Sequence, residues 1–151
     1  MQNPVNTFIS FGLLISVVGA SFYFVSATAP IKPWTGIVDG LFLNPARAEA
    51  LGLNRENGLL IFTITPDSPA DRAGLRGSNG MVTIDGTQVP IGGDIIVSMD
   101  GVQINEINDV CGVLAQKQVG DSVRFEVSRD ANLQATNVIL EELPSGARTT
   151  C

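Results

Sequence analysis

The chain has 151 residues, which leaves room for one domain and an appended segment. It carries 9 Lys and Arg against 15 Asp and Glu, so its net charge of −6 argues against the basic face that a nucleic-acid-binding protein needs. It contains no histidine, which excludes a Ser-His-Asp triad and most zinc sites. We therefore expect a protein that is not an enzyme, binds no nucleic acid and holds no cofactor or metal.

The N-terminal segment, residues 1–30, carries no charged side chain. Phe8 to Ala29 is an apolar run that would span roughly 33 Å as a helix, enough to cross a bilayer core. The run predicts a single transmembrane anchor in contact with membrane lipid. A cleaved signal peptide, with Ala27-Thr28-Ala29 as its cleavage site, is the alternative. The segment lacks a positively charged start and is longer than the usual apolar core of a signal peptide, which favours the anchor.

A short linker, Pro30 to Pro33, joins the anchor to the rest of the chain. Asn44 to Leu53 then predicts a short helix, because Asn44 can cap its start and Gly52 can end it. We expect this helix to have a packing role.

A corner between a strand and a short helix follows. Leu59 to Ile64 is an apolar run typical of a buried strand. In Thr65 to Leu75, two prolines stop the strand and Ser68 can cap a helix that begins with proline. Asp71 suits the positive end of that helix, and Gly74 supplies the left-handed residue that ends it.

The stretch from Arg76 to Ile91 is polar and contains glycine. Within it, Met81 to Ile84 followed by Asp85-Gly86 predicts a hairpin arm, which is either a partner-contact surface or an ordinary elaboration. Gly92 to Gly101 then predicts a glycine turn, a short apolar strand and a second Asp-Gly turn.

The corner and the second Asp-Gly strand together resemble the PDZ domain, in the form that follows the protease domain of bacterial HtrA/Deg serine proteases. That family carries a strand, then Pro-x-Ser-Pro-Ala and Ala-Gly-Leu, and later Gly-Asp-Ile-Ile and Asp-Gly. The matching positions, within about Trp34 to Leu143, are Pro66 to Ala70, Ala73 to Leu75, Gly93 to Ile96 and Asp100-Gly101. The resemblance implies an α+β fold over residues 31–143: a small, partly open β-barrel of five to six strands with two short helices, preceded by the transmembrane helix.

The resemblance also implies a peptide-binding groove. In HtrA-type PDZ domains the backbone N–H groups of an aromatic-hydrophobic-Gly-hydrophobic loop cradle a carboxylate, and a peptide adds as a strand beside the next segment, here Ile37 to Phe42. A helix forms the second wall. The residues that we assign to peptide and carboxylate binding are Trp34, Thr35, Gly36, Ile37, Val38, Ile107 and Cys111.

Two positions of the implied loop have particular features. Thr35 departs from the family pattern, in which an apolar residue is usual. Trp34 lies only a few residues beyond the predicted anchor, so an interfacial membrane contact is an alternative role for its ring.

Asn105 to Gln118 predicts the longest helix after the anchor, and its apolar residues at helical spacing should face the core. These core-facing residues are Ile107, Val110 and Leu114. Which members of this helix line the groove is left open among Ile107, Asn108, Cys111 and Ala115.

Ser122 to Arg129 alternates apolar and polar residues and predicts a half-buried strand, to which Leu133 to Leu140 returns as a partner. Its buried side would hold Val123, Phe125 and Val127, and its exposed side Arg124, Glu126 and Ser128. Residues 144–151 predict a flexible tail.

The two cysteines, Cys111 and Cys151, are either two free thiols, which is the expectation that we adopt, or one disulfide. Three aspartates could suggest a cation site, but each fits a turn or a cap; they are Asp85, Asp94 and Asp100.

The predicted function is that of a membrane-anchored, non-catalytic PDZ module, which captures a C-terminal or internal segment of an integral membrane protein or membrane complex. A fixed accessory subunit of a multi-subunit membrane enzyme, or a regulatory partner of a separate envelope protease, are the alternatives. The resemblance to envelope proteases implies a single-pass membrane protein with an extracytoplasmic PDZ domain.

Overall fold

The structure, a computed structural model, describes residues 31–149 and 151. The helices are α1 (Pro45–Ala50), α2 (Pro69–Arg72) and α3 (Ile107–Ala115). The strands are β1 (Pro33–Trp34), β2 (Ile37–Phe42), β3 (Leu59–Ile64), β4 (Gly80–Ile84), β5 (Thr87–Ile91), β6 (Ile95–Met99), β7 (Val102–Gln103), β8 (Ser122–Arg129), β9 (Asn132–Ile139) and β10 (Glu141–Glu142).

Six strands form one open antiparallel sheet in the order β2-β3-β6-β8-β9, with β7 paired to β6. The pairs β4–β5 and β1–β10 form two further ladders. A small β-rich domain with a main sheet of six strands is thus confirmed. The prediction of two helices is wrong, because three short helices are present and each begins at its own N-cap: Asn44, Ser68 and Glu106.

The first half of β3 and most of β6 are buried on both faces. In β3, Leu59 and Ile61 pack into the main core with α3 and β8, whereas Leu60 packs into a second cluster with Leu43 and Ile95. A strand covered on both faces needs an unbroken apolar sequence, which explains the run that begins β3.

The corner after β3 has the predicted chemistry. The Ser68 hydroxyl oxygen accepts a hydrogen bond from the Asp71 N–H at 3.3 Å, and the Asp71 carboxylate accepts one from the Asp67 N–H at 2.8 Å. Gly74 ends the turn with φ +82°. The corner therefore rests on local capping bonds.

The other local predictions are confirmed with small shifts of boundary. The Asn44 side chain caps α1 by accepting from the Arg47 N–H at 2.8 Å. Helix α3 is shorter than the predicted span, because Asp109 accepts bonds from the N–H groups of Asn105 and Glu106 and so fixes its start at Ile107.

Strand β8 departs from the predicted alternation at its end. Ser128 is only 6% exposed, although its neighbour Val127 is also buried. Ser128 lies opposite Ile95 in the β6–β8 ladder, and Ile95 belongs to the second cluster, so this end of β8 is covered on both faces.

The predicted anchor, Phe8 to Ala29, lies outside the described residues. Across residues 31–149 and 151, no helix is both long and apolar enough to cross a membrane.

Candidate functional site

Strand β2 is an edge of the main sheet. Among the described residues it pairs with β3 only, so its other edge carries no strand. An unpaired edge offers backbone N–H and C=O groups to an incoming extended segment. Helix α3 faces this edge, because side chains from both elements line one small pocket.

The loop between β1 and β2 is fastened to the corner that precedes α2. The Thr35 carbonyl accepts from the Ala70 N–H at 2.8 Å, and the Gly36 carbonyl accepts from the Thr65 N–H at 2.8 Å. Gly36 has φ +91°, and a Cβ built on it would lie 2.1 Å from the Cβ of Ser68. The corner thus sets the position of the predicted carboxylate loop.

Thr35 uses its hydroxyl inside the loop. Its Oγ1 accepts a hydrogen bond from the Ile37 N–H at 3.3 Å, and the residue is 7% exposed. A peptide carboxylate in the loop would compete with this hydroxyl for the Ile37 N–H. The departure from the apolar pattern therefore changes how the loop presents its donors.

An apolar pocket lies between the loop, the sheet and α3. Its free volume is about 10 Å³, close to the least that holds one water molecule. The side chains from the body of the domain are mostly large and apolar. The lining residues are Pro33, Thr35, Ile37, Leu59, Ile96, Met99, Val110, Leu114, Phe125 and, from the C-terminal segment, Thr149.

The structure brings part of the predicted site together at this pocket. Thr35 and Ile37 line it, and Gly36 lies between them. Val38 is half-buried on β2, and Ile107 and Cys111 are half-buried on α3, but none of these three is among the lining residues.

Trp34 is also absent from the pocket lining. Its ring is 5% exposed, and among the described residues its indole N–H has no hydrogen-bond acceptor. It lies opposite Glu141 in the β1–β10 ladder. This places Trp34 at the base of the loop, next to the start of the C-terminal segment.

Helix α3 contributes Val110 and Leu114 to the pocket, four residues apart on one face. Their spacing predicts core packing, and they do belong to the main core as well. Helical periodicity finds such residues but does not separate a core face from a groove face.

The expectation of two free thiols is wrong. Cys111 and Cys151 form a disulfide, with their Cα atoms 5.5 Å apart. The predicted flexible tail is therefore fixed at Cys151 to α3. Tertiary structure brings the two residues together although 40 positions separate them in the chain.

The three aspartates that could suggest a cation site each have another structural role. Asp94 is 1% exposed and forms a two-pronged ion pair with Arg129, with both N···O distances 2.7 Å. This hydrogen bonding raises the pKa of Arg129 above its ordinary value. Asp100 pairs with Lys117 at 2.6 Å, and Asp85 begins the β4–β5 turn.

A larger concavity of about 940 Å³ lies beside this ion pair. It is lined by loop residues such as Arg76, Gly77 and Asn79, together with Arg129. Because Arg129 also donates to the Gly74 carbonyl at 2.7 Å, its guanidinium is engaged within the fold. The groove beside β2, with its open strand edge, is the stronger candidate for ligand binding.

Comparison with known proteins identifies the domain. The family of PDZ domains matches residues 52–140, which is more than half of the chain. The chain is 32% identical over 114 residues to the Probable periplasmic serine endoprotease DegP-like of Marinomonas sp. (strain MWYL1), covering 76% of this chain and 21% of that protein. It is 31% identical over 134 residues to Protease Do-like 1, chloroplastic, of Arabidopsis thaliana, covering 80% and 29%. The chain thus spans less than a third of the length of these relatives.

Solved structures share the fold. The HtrA-type protease AlgW with decapeptide matches 76% of this chain and 30% of its own, at TM-score 0.56 and 24% identity. The HtrA3 PDZ domain bound to a phage-derived ligand (FGRWV) matches 74% and 86%, at TM-score 0.55 and 17% identity. The chain belongs to the PDZ domain family, and its domain is homologous to the PDZ domains of DegP-type proteases.

Proposed function

We propose that this chain is a membrane-anchored, non-catalytic PDZ module that binds a C-terminal or internal segment of a protein partner as a strand added to β2. The observation that carries this proposal is the open edge of β2 beside an apolar pocket lined by Ile37, Val110 and Leu114. Backbone pairing at the edge would supply affinity, and the pocket would select one side chain. The structures of AlgW with a decapeptide and of the HtrA3 PDZ domain bound to a phage-derived ligand support this use of the fold.

The non-catalytic part of the proposal is supported by the absence of histidine from all 151 residues, which leaves no Ser-His-Asp triad in this chain. The named relatives are proteases, but the chain spans less than a third of each of them.

The membrane part is supported by the uncharged run from Phe8 to Ala29. An extracytoplasmic PDZ domain fits the Cys111–Cys151 disulfide, since disulfides persist in oxidising compartments. The relatives are named as periplasmic and chloroplastic. Because Trp34 follows the uncharged run by only a few residues, an integral membrane protein or membrane complex is the favoured partner.

Peptide selection on the full chain in detergent tests the binding function. A displayed library of peptides with free C-termini is selected with and without dithiothreitol, and affinities are measured by fluorescence polarisation. We expect Val110→Ala, which enlarges the pocket, to shift the selected final side chain towards larger residues. The matched control is Ile139→Ala on β9, which is 54% exposed and not among the residues that line the pocket, and should keep the original preference. Failure to select any peptide under either condition contradicts the proposal.

A fixed accessory subunit is the second candidate, favoured by one observation: Thr149 already forms part of the pocket wall. A groove filled by its own chain needs no free ligand. Under this alternative, mild detergent should co-purify the chain in constant ratio with the same large membrane proteins. A separate serine endoprotease among them would identify the protein as a protease partner. Recovery of the chain alone would count against both the accessory-subunit and the protease-partner alternatives.

A further inference from the structure

We propose that residues 144–149, together with Cys151, form a plug of the groove, which the Cys111–Cys151 disulfide locks and a dithiol reductant unlocks. The inference rests on the proposed peptide-binding function and assigns its regulation. Three observations support the proposal: the segment begins beside the carboxylate loop, Thr149 fills part of the pocket, and the disulfide holds the far end of the segment.

The segment begins beside the carboxylate loop. β10 pairs with β1, and the Leu143 N–H donates to the Lys32 carbonyl at 3.1 Å. Residue 144 therefore follows a strand that pairs with Pro33, and Pro33 lines the pocket. The start of the plug is fixed by the sheet itself.

A turn then redirects the chain. The Ala147 N–H donates to the Pro144 carbonyl at 3.0 Å, and Gly146 has φ +79°, the left-handed conformation that glycine adopts readily. After this turn, Thr149 reaches the pocket, where only about 10 Å³ remains free. The side chain of an incoming peptide would have to displace Thr149.

The far end is held by the disulfide. Cys111 follows Val110, a pocket residue on α3, so the bond fixes Cys151 to the wall opposite the loop. Within residues 144–149 and 151, every hydrogen bond that the structure describes joins two members of the segment itself: Ala147 to Pro144, and the Cys151 N–H to Thr149 Oγ1. The disulfide thus joins the segment covalently to α3.

Release is a thiol–disulfide exchange. A thiolate of the reductant attacks one sulfur, forms a mixed disulfide and expels the other cysteine as a thiolate; the second thiol of the reductant then closes its own disulfide and frees the first cysteine. Cys111 and Cys151 gain two electrons and two protons in total, and the dithiol loses both. Cys151 is exposed and Cys111 is half-buried, so the bond is open to attack from the Cys151 side.

The experiment uses the full chain in detergent and a fluorescein-labelled peptide selected on the Cys111→Ser/Cys151→Ser variant. We expect oxidised wild-type protein to bind this peptide at least tenfold more weakly than the reduced protein or the variant. Dithiothreitol should not change the affinity of the variant, which is the control. Hydrogen–deuterium exchange should show faster exchange in residues 144–151 on reduction, while β3 and β8 stay protected.

A second variant keeps the disulfide and its contribution to folding. A Gly-Ser linker of six residues inserted between Gly146 and Ala147 should loosen the plug, so that the oxidised variant binds the peptide like the reduced wild type. Equal peptide affinity of oxidised and reduced wild type, or weak binding by the oxidised insertion variant, would overturn the plug. If residues 144–151 are released but no peptide can be selected on the variant without cysteines, the binding function itself is refuted.

Discussion

Ser68 lies directly against Gly36, so that a Cβ on Gly36 would meet both the Cβ and the Oγ of Ser68 at 2.1 Å. This contact joins the cap of α2 to the loop at the head of the groove. The corner that identifies the fold therefore also shapes the loop, and a side chain at Gly36 would disturb folding and ligand binding together.

We expect Gly36→Ala to destabilise the protein by at least about 2 kcal/mol, because it combines the clash with left-handed backbone strain. Ser68→Gly alone should cost only a few tenths of a kcal/mol as a cap change. The double variant should be more stable than the sum of the single changes predicts, because the clash is removed. Urea unfolding followed by the fluorescence of Trp34, the single tryptophan, measures these values.

Gly52→Ala is the matched control for Gly36. Gly52 also has a positive φ, +64°, but nothing lies within 4 Å of an added Cβ. Gly52→Ala should lower the free energy of unfolding by about 1 kcal/mol, which is the cost of the backbone strain alone. This cost should not change when Ser68→Gly is also present. A Gly36→Ala cost equal to that of Gly52→Ala would contradict the clash.

Asp94→Ala should destabilise the protein by about 3–5 kcal/mol, because it leaves Arg129 without its buried partner. The carboxylate also accepts from the Arg76 N–H at 2.9 Å, so the change removes a second bond between the corner and β6. The control is Arg124→Gln, which breaks an exposed pair with Glu126 at 3.5 Å and should cost no more than about 0.5 kcal/mol. Similar midpoints in urea for the two variants would argue against the prediction.

The Asp100–Lys117 pair should make stability depend on pH. The hydrogen bond from Lys117, with one from the Arg124 N–H, lowers the pKa of Asp100 in the folded state below its ordinary value of 3.8. A lowered folded pKa gives stability that is present above the unfolded pKa and is lost as pH falls through the folded one. Asp100→Asn should therefore cost about 0.5 to 1 kcal/mol at pH 7 and progressively less below pH 4.

Asn keeps the left-handed turn at position 100, where φ is +48°, so the comparison isolates the charge. Asp85→Asn is the control, since Asp85 begins the matching turn between β4 and β5 and makes no ion pair among the described residues. Unfolding midpoints at several pH values should separate the two variants fully above pH 4 and progressively less below it. A constant difference across that range would exclude the charge as the cause.

The Cys111–Cys151 bond should also stabilise the whole domain. It closes a loop over 40 positions, for which loss of chain entropy in the unfolded state gives up to about 4 kcal/mol. We expect urea midpoints of the oxidised protein to exceed those of the reduced protein and of Cys111→Ser/Cys151→Ser, which should agree with each other. Identical midpoints in all three would contradict this stabilisation.

Much of the fold follows from local signals in the sequence. Ser68, Asp71 and Gly74 lie within seven consecutive residues, so a corner of this kind is specified by neighbours in the chain. The Asp-Gly pairs specify their turns in the same way. The family resemblance implied two short helices, whereas the local caps at Asn44, Ser68 and Glu106 begin three.

The groove was harder to predict, because the C-terminal residues that occupy it are brought there by tertiary contacts. No local pattern brings Cys151 to Cys111 or Thr149 to the pocket. The spacing of Val110 and Leu114 correctly predicted that both lie on one buried face of a helix. Whether that face borders a core or a groove depends on what packs against it.

The disulfide also turns the last part of the chain into a closed ring. This ring runs from Cys111 through β8, β9 and β10 to Cys151. A protease that cuts once inside it, for example at the exposed turn of Asp130 and Ala131, creates two new chain ends but no separate fragment. On a denaturing gel such a nicked molecule would migrate as one species until a thiol reductant is added, so a gel run without reductant would hide the cut.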